Sequence, residues 1–406
     1  MINTYERQKD ILKLIVQLDI TPTMYRNAVE KYHAIADFLN DCGIEADMYP
    51  QGSFAFGTVV RPSAKDPDAS YDLDFICQLK MNRDNISPSE LRRRIENALT
   101  SSNRYGGKLE VCEECFTIQY ADINGVGFTI DIVPAVDESL VNKLVLMSKS
   151  NRADLISSAI AIPRHNGERN YSWLTNNPKG FKRWFDEINT PFLNAKRDEN
   201  RCAIFEANQR FFSSIEEIPT ALERSSLQRV IQILKYHRDI YYAKRINGDD
   251  LKPISAILNT LAAGIAKNAD PHLDVFSLLS YVLDELNIYA EHLQMRSDRF
   301  QQLYGSRSAI SHNDGKWVIP NPADPGDNLA DKWNTNPAIP QVFFTWVSIC
   351  REEIIKSLSL SDAQFRTSAA NAFGIETIQQ NWGCKYQAIA PKPINTTTVA
   401  KPYRCK

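Results

Sequence analysis

Residues 71–79 read YDLDFICQL, and their alternating pattern bears most directly on the fold. The odd-numbered positions are apolar or aromatic, whereas the even-numbered positions include Asp72 and Asp74. Successive side chains of a β-strand alternate between its faces, so the pattern predicts one buried face and both carboxylates on the other. Aspartate is depleted in strands, and two like charges about 7 Å apart along one strand repel. A divalent cation between the carboxylates explains the pair.

A third aspartate has the same setting in residues 127–133, GFTIDIV, where Asp131 lies opposite an apolar face. If this strand lies beside residues 71–79, three carboxylates converge. Mg²⁺ prefers oxygen ligands and keeps positions open for water and phosphate. Two such ions about 3.5–4 Å apart can activate an attacking hydroxyl and stabilise a leaving pyrophosphate. The residues leave one alternative open, in which each aspartate only lies on a solvated strand face.

Upstream, residues 49–58 read YPQGSFAFGT, and Gly52 and Ser53 are predicted to open a short helix after a strand that ends near Met48. Glycine lets the backbone approach a phosphate closely. Free amides at a helix start, together with the serine hydroxyl, can bind an anion. The alternative is a helix cap without a ligand.

The order Gly52-Ser53, Asp72-x-Asp74 and Asp131 resembles the signature of the DNA polymerase β-like nucleotidyltransferase superfamily. The fuller pattern, with Gln51 and the residues TVVRP at 58–62, is similar to that of the bacterial CD-NTases, the cyclic-oligonucleotide synthases of anti-phage defence.

This resemblance implies two Mg²⁺ ions, which Mn²⁺ can replace, held by three catalytic aspartates: Asp72, Asp74 and Asp131. It also implies that the donor triphosphate is held by Gln51, Gly52 and Ser53. Residues 54–71 separate the turn from Asp72, which is longer than the family pattern usually has. The polar residues 63–70 within this spacing predict a surface loop.

Two residues of a later, helix-rich region complete the predicted nucleotide site. Residues 227–236, LQRVIQILKY, predict an amphipathic helix in which the stem of Lys235 packs while its ammonium group reaches a cleft. Pro253 places Ser255 near the start of the next helix. A lysine and a serine in this lobe contact the triphosphate in CD-NTases and their animal relatives, and Lys235 and Ser255 match them in order and context. The alternative is a solvated lysine and a capping serine.

The coarse pattern predicts an α+β, bilobed protein: a polymerase β-like nucleotidyltransferase core of mixed β-sheet with helices, a helical lobe, and an active site in the cleft between them. The predicted divisions are a catalytic lobe with N-terminal helices at 1–165, a helical lobe resembling oligoadenylate synthetase at 166–375, and a mobile tail at 376–406. Predicted helices include 216–245, 273–296 and 338–359, with a Pro- and Asp-rich loop between residues 312 and 339.

Composition restricts the possible partners. The 406 residues carry a net charge of −2, whereas a protein that holds long nucleic acid by its phosphates is usually more basic. The N-terminus is polar and no apolar run approaches the length of a membrane helix, so a cytoplasmic protein is expected without membrane or nucleic acid as a required partner.

Two further motifs are assigned structural roles. Cys112-x-x-Cys115 is the spacing of half a zinc site, but no second pair follows, so two buried thiols are favoured. The run Arg92-Arg93-Arg94 is expected to lie on a solvated helix face rather than to bind nucleic acid.

The leading hypothesis is a cyclic-oligonucleotide synthase that joins nucleoside triphosphates into a cyclic di- or trinucleotide and releases pyrophosphate. ATP is the expected first substrate and the second base is open. The alternatives are a template-free enzyme that extends RNA or makes linear oligoadenylate, and an inactive nucleotide-sensing relative. The resemblance also implies a separate effector that reads the product, and ubiquitin-like or HORMA-type regulators.

Overall fold

The computed structural model describes residues 2–60, 70–120, 127–168, 170–305 and 307–387, without the side chains of Ser70 and Asp72. Most of the predicted loop at 63–70 and residues 388–406 of the predicted tail lie outside these ranges.

The described residues form a helix-rich chain with strands concentrated before residue 177. The helices are α1 Thr4–Val16, α2 Pro22–Asp41, α3 Gly52–Phe56, α4 Pro88–Ser101, α5 Leu140–Ser148, α6 Ala153–Ile156, α7 Pro178–Ala195, α8 Arg197–Ala207, α9 Ser226–Ala243, α10 Gly248–Leu251, α11 Ser255–Ala266, α12 Val275–Tyr289, α13 Ser297–Tyr304, α14 Asp331–Thr335, α15 Ala338–Cys350, α16 Asp362–Phe373 and α17 Ile375–Trp382. The strands are β1 Ala46–Pro50, β2 Ser70–Asn82, β3 Leu109–Val111, β4 Phe116–Tyr120, β5 Gly127–Asp137, β6 Ile160–His165, β7 Tyr171–Asn176, β8 Ser311–Asn313, β9 Lys316–Val318, β10 Pro320–Asn321 and β11 Asp324–Asn328.

Strands β1–β7 form one mixed sheet. Its main order is β1-β2-β5-β4-β3, and β6 joins the end of β5 and pairs with β7. Strands β2 and β5 are parallel neighbours, whereas the other pairs are antiparallel. The predicted α+β fold with a mixed sheet and a helical lobe is therefore confirmed.

The apolar face predicted for β2 is buried as expected. Its odd-numbered side chains join those of β4 and β5 in one core, which also receives side chains of α2 and α4. Period-two alternation thus fixes which side of the sheet faces the core.

A second core is helical, and α9 lies at its centre. Helix α9 begins with a capping box in which Ser225 and Gln228 satisfy each other's backbone amides. It is buried on nearly every side because α7, α11, α12, α15 and α16 pack around it. A helix in this position is apolar on most faces, so each polar residue it carries needs an internal partner.

The predicted divisions differ from the observed cores at three points. Helix α1 packs with the helical core through Ile11, Leu14 and Ile15, so it does not belong to the catalytic lobe. The sheet continues to Asn176 because β7 pairs with β6, which moves the end of this lobe beyond residue 165. Phe212 and Leu222 return to the core of the sheet, although they follow α8.

Three other predictions differ from the structure. A mobile tail was predicted from residue 376, but α17 begins at Ile375 and buries Ile378 and Trp382 in the helical core. The helix predicted at 216–245 begins only at Ser226, since Pro219 and the Ser225 cap end the irregular segment before it. The predicted loop at 312–339 contains two short hairpins and α14.

The predicted helix at 338–359 is continuous, with α15 followed by a π turn and a 3₁₀ turn. Among the described residues, no helix combines the length and the apolar character needed to cross a membrane.

Candidate active site

The central feature of the site is a pair of aspartates on neighbouring strands. Asp74 of β2 and Asp131 of β5 are direct partners in the parallel register, so both side chains leave the same face of the sheet. Neighbouring strands lie about 4.8 Å apart, which brings the two carboxylates within reach of a common ligand. Asp72 is paired with Thr129 one step along the same face, but its side chain lies outside the described residues.

The pair belongs to a polar row that crosses the sheet. Thr117 of β4 is paired with Asp131, and Glu110 of β3 is paired with Thr117. The Thr117 hydroxyl donates a hydrogen bond of 2.6 Å to Oδ1 of Asp131. This contact restricts the rotation of the carboxylate. Sequence reasoning missed Thr117, although its alternation with buried Phe116 and Ile118 places it on the polar face.

The Gly52 turn lies directly against Asp74. The Gln51 amide donates to the Asp74 carbonyl at 2.8 Å, which continues the β1–β2 pairing up to the turn. Gly52 has a φ of +59°, and a Cβ at this position would lie 2.6 Å from Oδ2 of Asp74. Only glycine allows both the left-handed backbone and this close approach. The turn and Asp74 are therefore one structural unit.

Helix α9 holds the chain that leaves this turn. Three of its residues, which we call the α9 polar stripe, have side chains that donate to backbone carbonyls after the turn: Gln228 to Phe56 at 2.8 Å, Gln232 to Val59 at 2.9 Å and Lys235 to Thr58 at 3.3 Å. Their i, i+4, i+7 spacing puts them on one side of the helix. This spacing was visible in the sequence, but the carbonyl partners were not.

Lys235 is the charged member of the α9 polar stripe, and its side chain is buried. Burial, followed by the positive charge of Arg238, lowers the pKa of Lys235 to about 7, while the charges of Asp239 and Asp74 oppose this shift. The charge of Asp74 thus favours the protonated form of Lys235. An incoming polyanion would favour the protonated amine.

Ser255 lies at the first position of α11 and contacts Arg238, which follows Lys235 by three residues on α9. Arg238 is buried and donates to the Pro253 carbonyl at 3.1 Å and to the Ser255 hydroxyl at 3.3 Å. Sequence reasoning did not include Arg238. Its position one turn after Lys235 on the same helix was the available signal.

The structure thus gathers most of the predicted site. Gln51 and Gly52 contact Asp74, which is paired with Asp131, and Ser53 follows in the same turn. Lys235 of α9 donates to the Thr58 carbonyl, which the chain reaches directly after this turn. The donor atoms at the sheet are carboxylate oxygens, which suit Mg²⁺. Among the described residues, no group of three or more metal-ligating side chains is found, and the third carboxylate expected here, Asp72, is not among the described side chains.

A separate cavity of about 660 Å³ is lined by residues of α1, α8, the start of α9 and the start of α12. It contains none of the predicted site residues, so it is not part of the candidate active site.

Comparisons with known proteins find relatives of this chain. Residues 46–134 match the family described as cyclic GMP-AMP synthase DncV-like, nucleotidyltransferase domain. The chain is 23% identical over 348 residues to a c-di-GMP synthase of Roseivirga ehrenbergii, which covers 84% of this chain and 77% of the relative.

Two solved structures share the fold. CdnG of Bradyrhizobium diazoefficiens, in complex with GTP, gives a TM-score of 0.64 at 18% identity and covers 93% of this chain and 98% of its own. CdnC of E. coli MS115-1, in a complex with HORMA-deltaN, gives a TM-score of 0.56 at 14% identity and covers 90% and 96%.

The matched domain and the named relatives make this chain a nucleotidyltransferase. The sequence signature across the turn and the two strands falls within the matched residues 46–134. Within that class, two relatives are a c-di-GMP synthase and a cyclic dinucleotide synthase, and the fold is shared with the CD-NTase CdnG, in agreement with the resemblance seen in the sequence.

Proposed function

We propose that this chain joins two nucleoside triphosphates into a cyclic dinucleotide and releases pyrophosphate at each transfer. The observation that carries the proposal is the register pairing of Asp74 with Asp131 directly beside the Gly52 turn. Two curated relatives, a c-di-GMP synthase and the cyclic dinucleotide synthase CdnG, support a cyclic product over a linear one.

In this proposal the donor triphosphate lies between the turn and α9. The backbone of Gly52 and the hydroxyl of Ser53 hold phosphate oxygens from one side, and the Lys235 ammonium group faces them from the other. Arg238 keeps the Ser255 hydroxyl at the same side of the cleft. Holding both nucleotides in one cleft supplies the orientation that brings the attacking hydroxyl in line with the α-phosphorus.

The carboxylates of Asp74 and Asp131, with Asp72, would hold two Mg²⁺ ions. When bound, such ions lower the pKa of the attacking 2′- or 3′-hydroxyl and neutralise charge on the leaving pyrophosphate. The task of the protein is to keep the aspartate oxygens at fixed positions, which the β2–β5 register and the Thr117 hydrogen bond do.

The experiment is an incubation of purified protein with Mg²⁺ and each pair of labelled nucleoside triphosphates, without RNA. A phosphatase-resistant product is expected, with two pyrophosphates released per ring. Phosphatase-sensitive oligomers would instead support linear synthesis, and no product under any mixture would contradict enzymatic activity. Asp47→Asn is the matched control, because Asp47 is an exposed aspartate of the same sheet that pairs with Lys179.

We also propose that the product acts through a separate effector in anti-phage defence. A second proposal is that a HORMA-type protein regulates the chain. CdnC, which shares the fold, forms a complex with HORMA-deltaN, and this supports a partner of that type. Protection of phage-infected cells by the wild-type gene, and its loss with Asp74→Asn, would test the role in defence.

A further inference from the structure

The Cys112-x-x-Cys115 motif lies at the tip of the β3–β4 hairpin, next to the proposed active site. The Cys112 amide donates to the Cys115 carbonyl at 3.2 Å, so the two cysteines face each other across a two-residue turn. Opposite residues of antiparallel strands point to the same face with Cα atoms about 4.5–5.5 Å apart, inside the range of about 4.4–6.8 Å that a disulfide spans. Both are free, partly exposed thiols.

Arg92 fixes the backbone of this turn. Its guanidinium donates from Nη2 to the carbonyls of both cysteines and is buried over the rings of Phe116 and Tyr171. The two thiols are therefore held opposite each other by the fold rather than by chance loop motion.

Both thiols also reach Thr117. Sγ of Cys112 lies 3.5 Å and Sγ of Cys115 lies 3.9 Å from the Thr117 hydroxyl oxygen. Because this hydroxyl donates its proton to Asp131, the thiols act as the donors to its oxygen. A continuous chain of contacts thus leads from the two sulfur atoms through Thr117 to a proposed metal ligand.

We propose that Cys112 and Cys115 form a reversible disulfide that changes the hydrogen bonding of Thr117 and, through it, the position of the Asp131 carboxylate. Thr117 is the positioning residue in this scheme. The expected effects on metal binding and on activity rest on the proposed function, whereas the disulfide itself does not. No third His, Cys, Asp or Glu completes a metal cluster with the two thiols in the described part of the chain, so a disulfide is favoured over zinc.

The oxidant is a small-molecule disulfide such as oxidised glutathione. The Cys112 thiolate attacks one of its sulfur atoms, which forms a mixed disulfide and releases one glutathione thiolate. Cys115 then loses its proton and attacks the Cys112 sulfur, which closes the Cys112–Cys115 bond and expels the second glutathione thiolate. Two protein thiols are oxidised and one disulfide is reduced.

The same exchange balances with the two cysteines in the reverse order. A thiolate is the attacking species in such exchange.

The first experiment treats the folded full-length protein with oxidised or reduced glutathione and alkylates the remaining thiols. Peptide mass mapping should find a Cys112–Cys115 bridge only after oxidation. The oxidised protein should bind Mn²⁺, measured by the electron paramagnetic resonance of the free ion, about three- to tenfold more weakly, with a similar loss of activity. These losses are smaller than the about 10–100-fold typical of removing an outer-shell partner of a metal ligand. A dithiol reductant should reverse both.

Two serine variants make the assignment specific. Cys112→Ser should abolish the difference between oxidised and reduced protein, whereas Cys42→Ser, at an exposed cysteine at the end of α2, should retain it. A bridge that leaves Mn²⁺ binding unchanged, or a response that survives Cys112→Ser, would overturn the proposal.

The Thr117 step is tested separately. Thr117→Val should weaken Mn²⁺ binding about tenfold or more, and Thr117→Ser, which keeps the hydroxyl, should restore it. Mn²⁺ binding by Thr117→Val that equals wild type would refute the link to Asp131. If reduced wild-type protein makes no product from any nucleotide mixture, the proposed function fails, while Mn²⁺ binding still decides the thiol proposal.

Discussion

The two sides of the candidate cleft are built by different means. On the sheet side, Asp74 and Asp131 are aligned by the hydrogen-bonded register of two parallel strands. On the helix side, Lys235 is aligned by the burial of α9 and by donation to a carbonyl that is distant in sequence. Backbone pairing between strands thus sets the anionic half of the site, and side-chain packing sets the cationic half. Changes on the two sides should therefore have different effects on stability.

The largest expected effect comes from the sheet side. Asp74→Asn should lower activity by about 1,000-fold or more, because it removes a charge that the proposed metal ions require. The melting temperature should hardly change, since the strand pairing uses backbone atoms. Product formation and thermal unfolding are compared with those of the Asp47→Asn control. A large loss of stability in Asp74→Asn would contradict the expected difference in stability effects between the sheet side and the helix side.

On the helix side, Lys235→Met should lower activity by about 100-fold or more, in the range seen when one preorganised donor is removed. The stability of the Lys235→Met variant should change with pH in a different way from that of the wild-type protein. The pKa of Lys235 is lowered from 10.5 to about 7, so between these values the unfolded chain holds a proton that the folded chain has released. Wild-type stability therefore gains from Lys235 as pH rises through this window, and the variant lacks this gain.

Thermal unfolding from pH 6 to 9.5 checks this prediction. Lys235→Met should be at least as stable as wild type at pH 6, and the difference should move in favour of wild type as the pH rises. The exposed Lys244 provides the control, as Lys244→Met should follow the wild-type curve. A variant that is equally destabilised at every pH would contradict the proposed burial cost.

The turn that contains Gly52 joins the sheet side to the helix side. Gly52→Ala should lower activity by about 100-fold, because the added Cβ would displace the Asp74 carboxylate. The left-handed backbone should add a stability cost of about 1–2 kcal/mol. Gly43→Ala is matched in strain, since Gly43 has a φ of +78° with nothing within 4 Å of an added Cβ. It should lose similar stability and no activity. Equal activity of the two variants would show that Gly52 only serves the turn.

The smallest change in activity is expected for Gln232→Leu. This variant removes donors to the Val59 carbonyl and to Asp19, so it should destabilise the protein by about 1–3 kcal/mol while activity changes only a few-fold. Denaturant unfolding measures the cost, with exposed Gln380→Leu of α17 as the control. A greater loss of activity than of stability would place Gln232 in the site itself.

The same contrast explains what the sequence could predict. The strand pattern predicted the buried face of β2 and the position of Asp74 and of Asp131 opposite apolar faces, because a period of two is a local property. The pairing of β2 with β5 was a condition of the predicted convergence. It did not predict that α1 packs with the helical core or that α17 follows α16, since both depend on which distant surfaces meet. Arg238 and Thr117 were missed for this reason, as their roles are defined by Ser255 and Asp131 across the fold.

The carbonyl contacts of α9 also bear on the unusual spacing between the sequence motifs. The α9 polar stripe anchors the chain up to Val59, and pairing with β1 and β5 anchors it again from Ser70. Both ends of the segment between Val59 and Ser70 are thus held by hydrogen bonds that do not depend on the length of the segment. Residues can be added or removed within this segment during evolution without moving the Gly52 turn or the aspartates of β2. The number of residues between these two motifs is therefore a poor measure of how closely this protein is related to others.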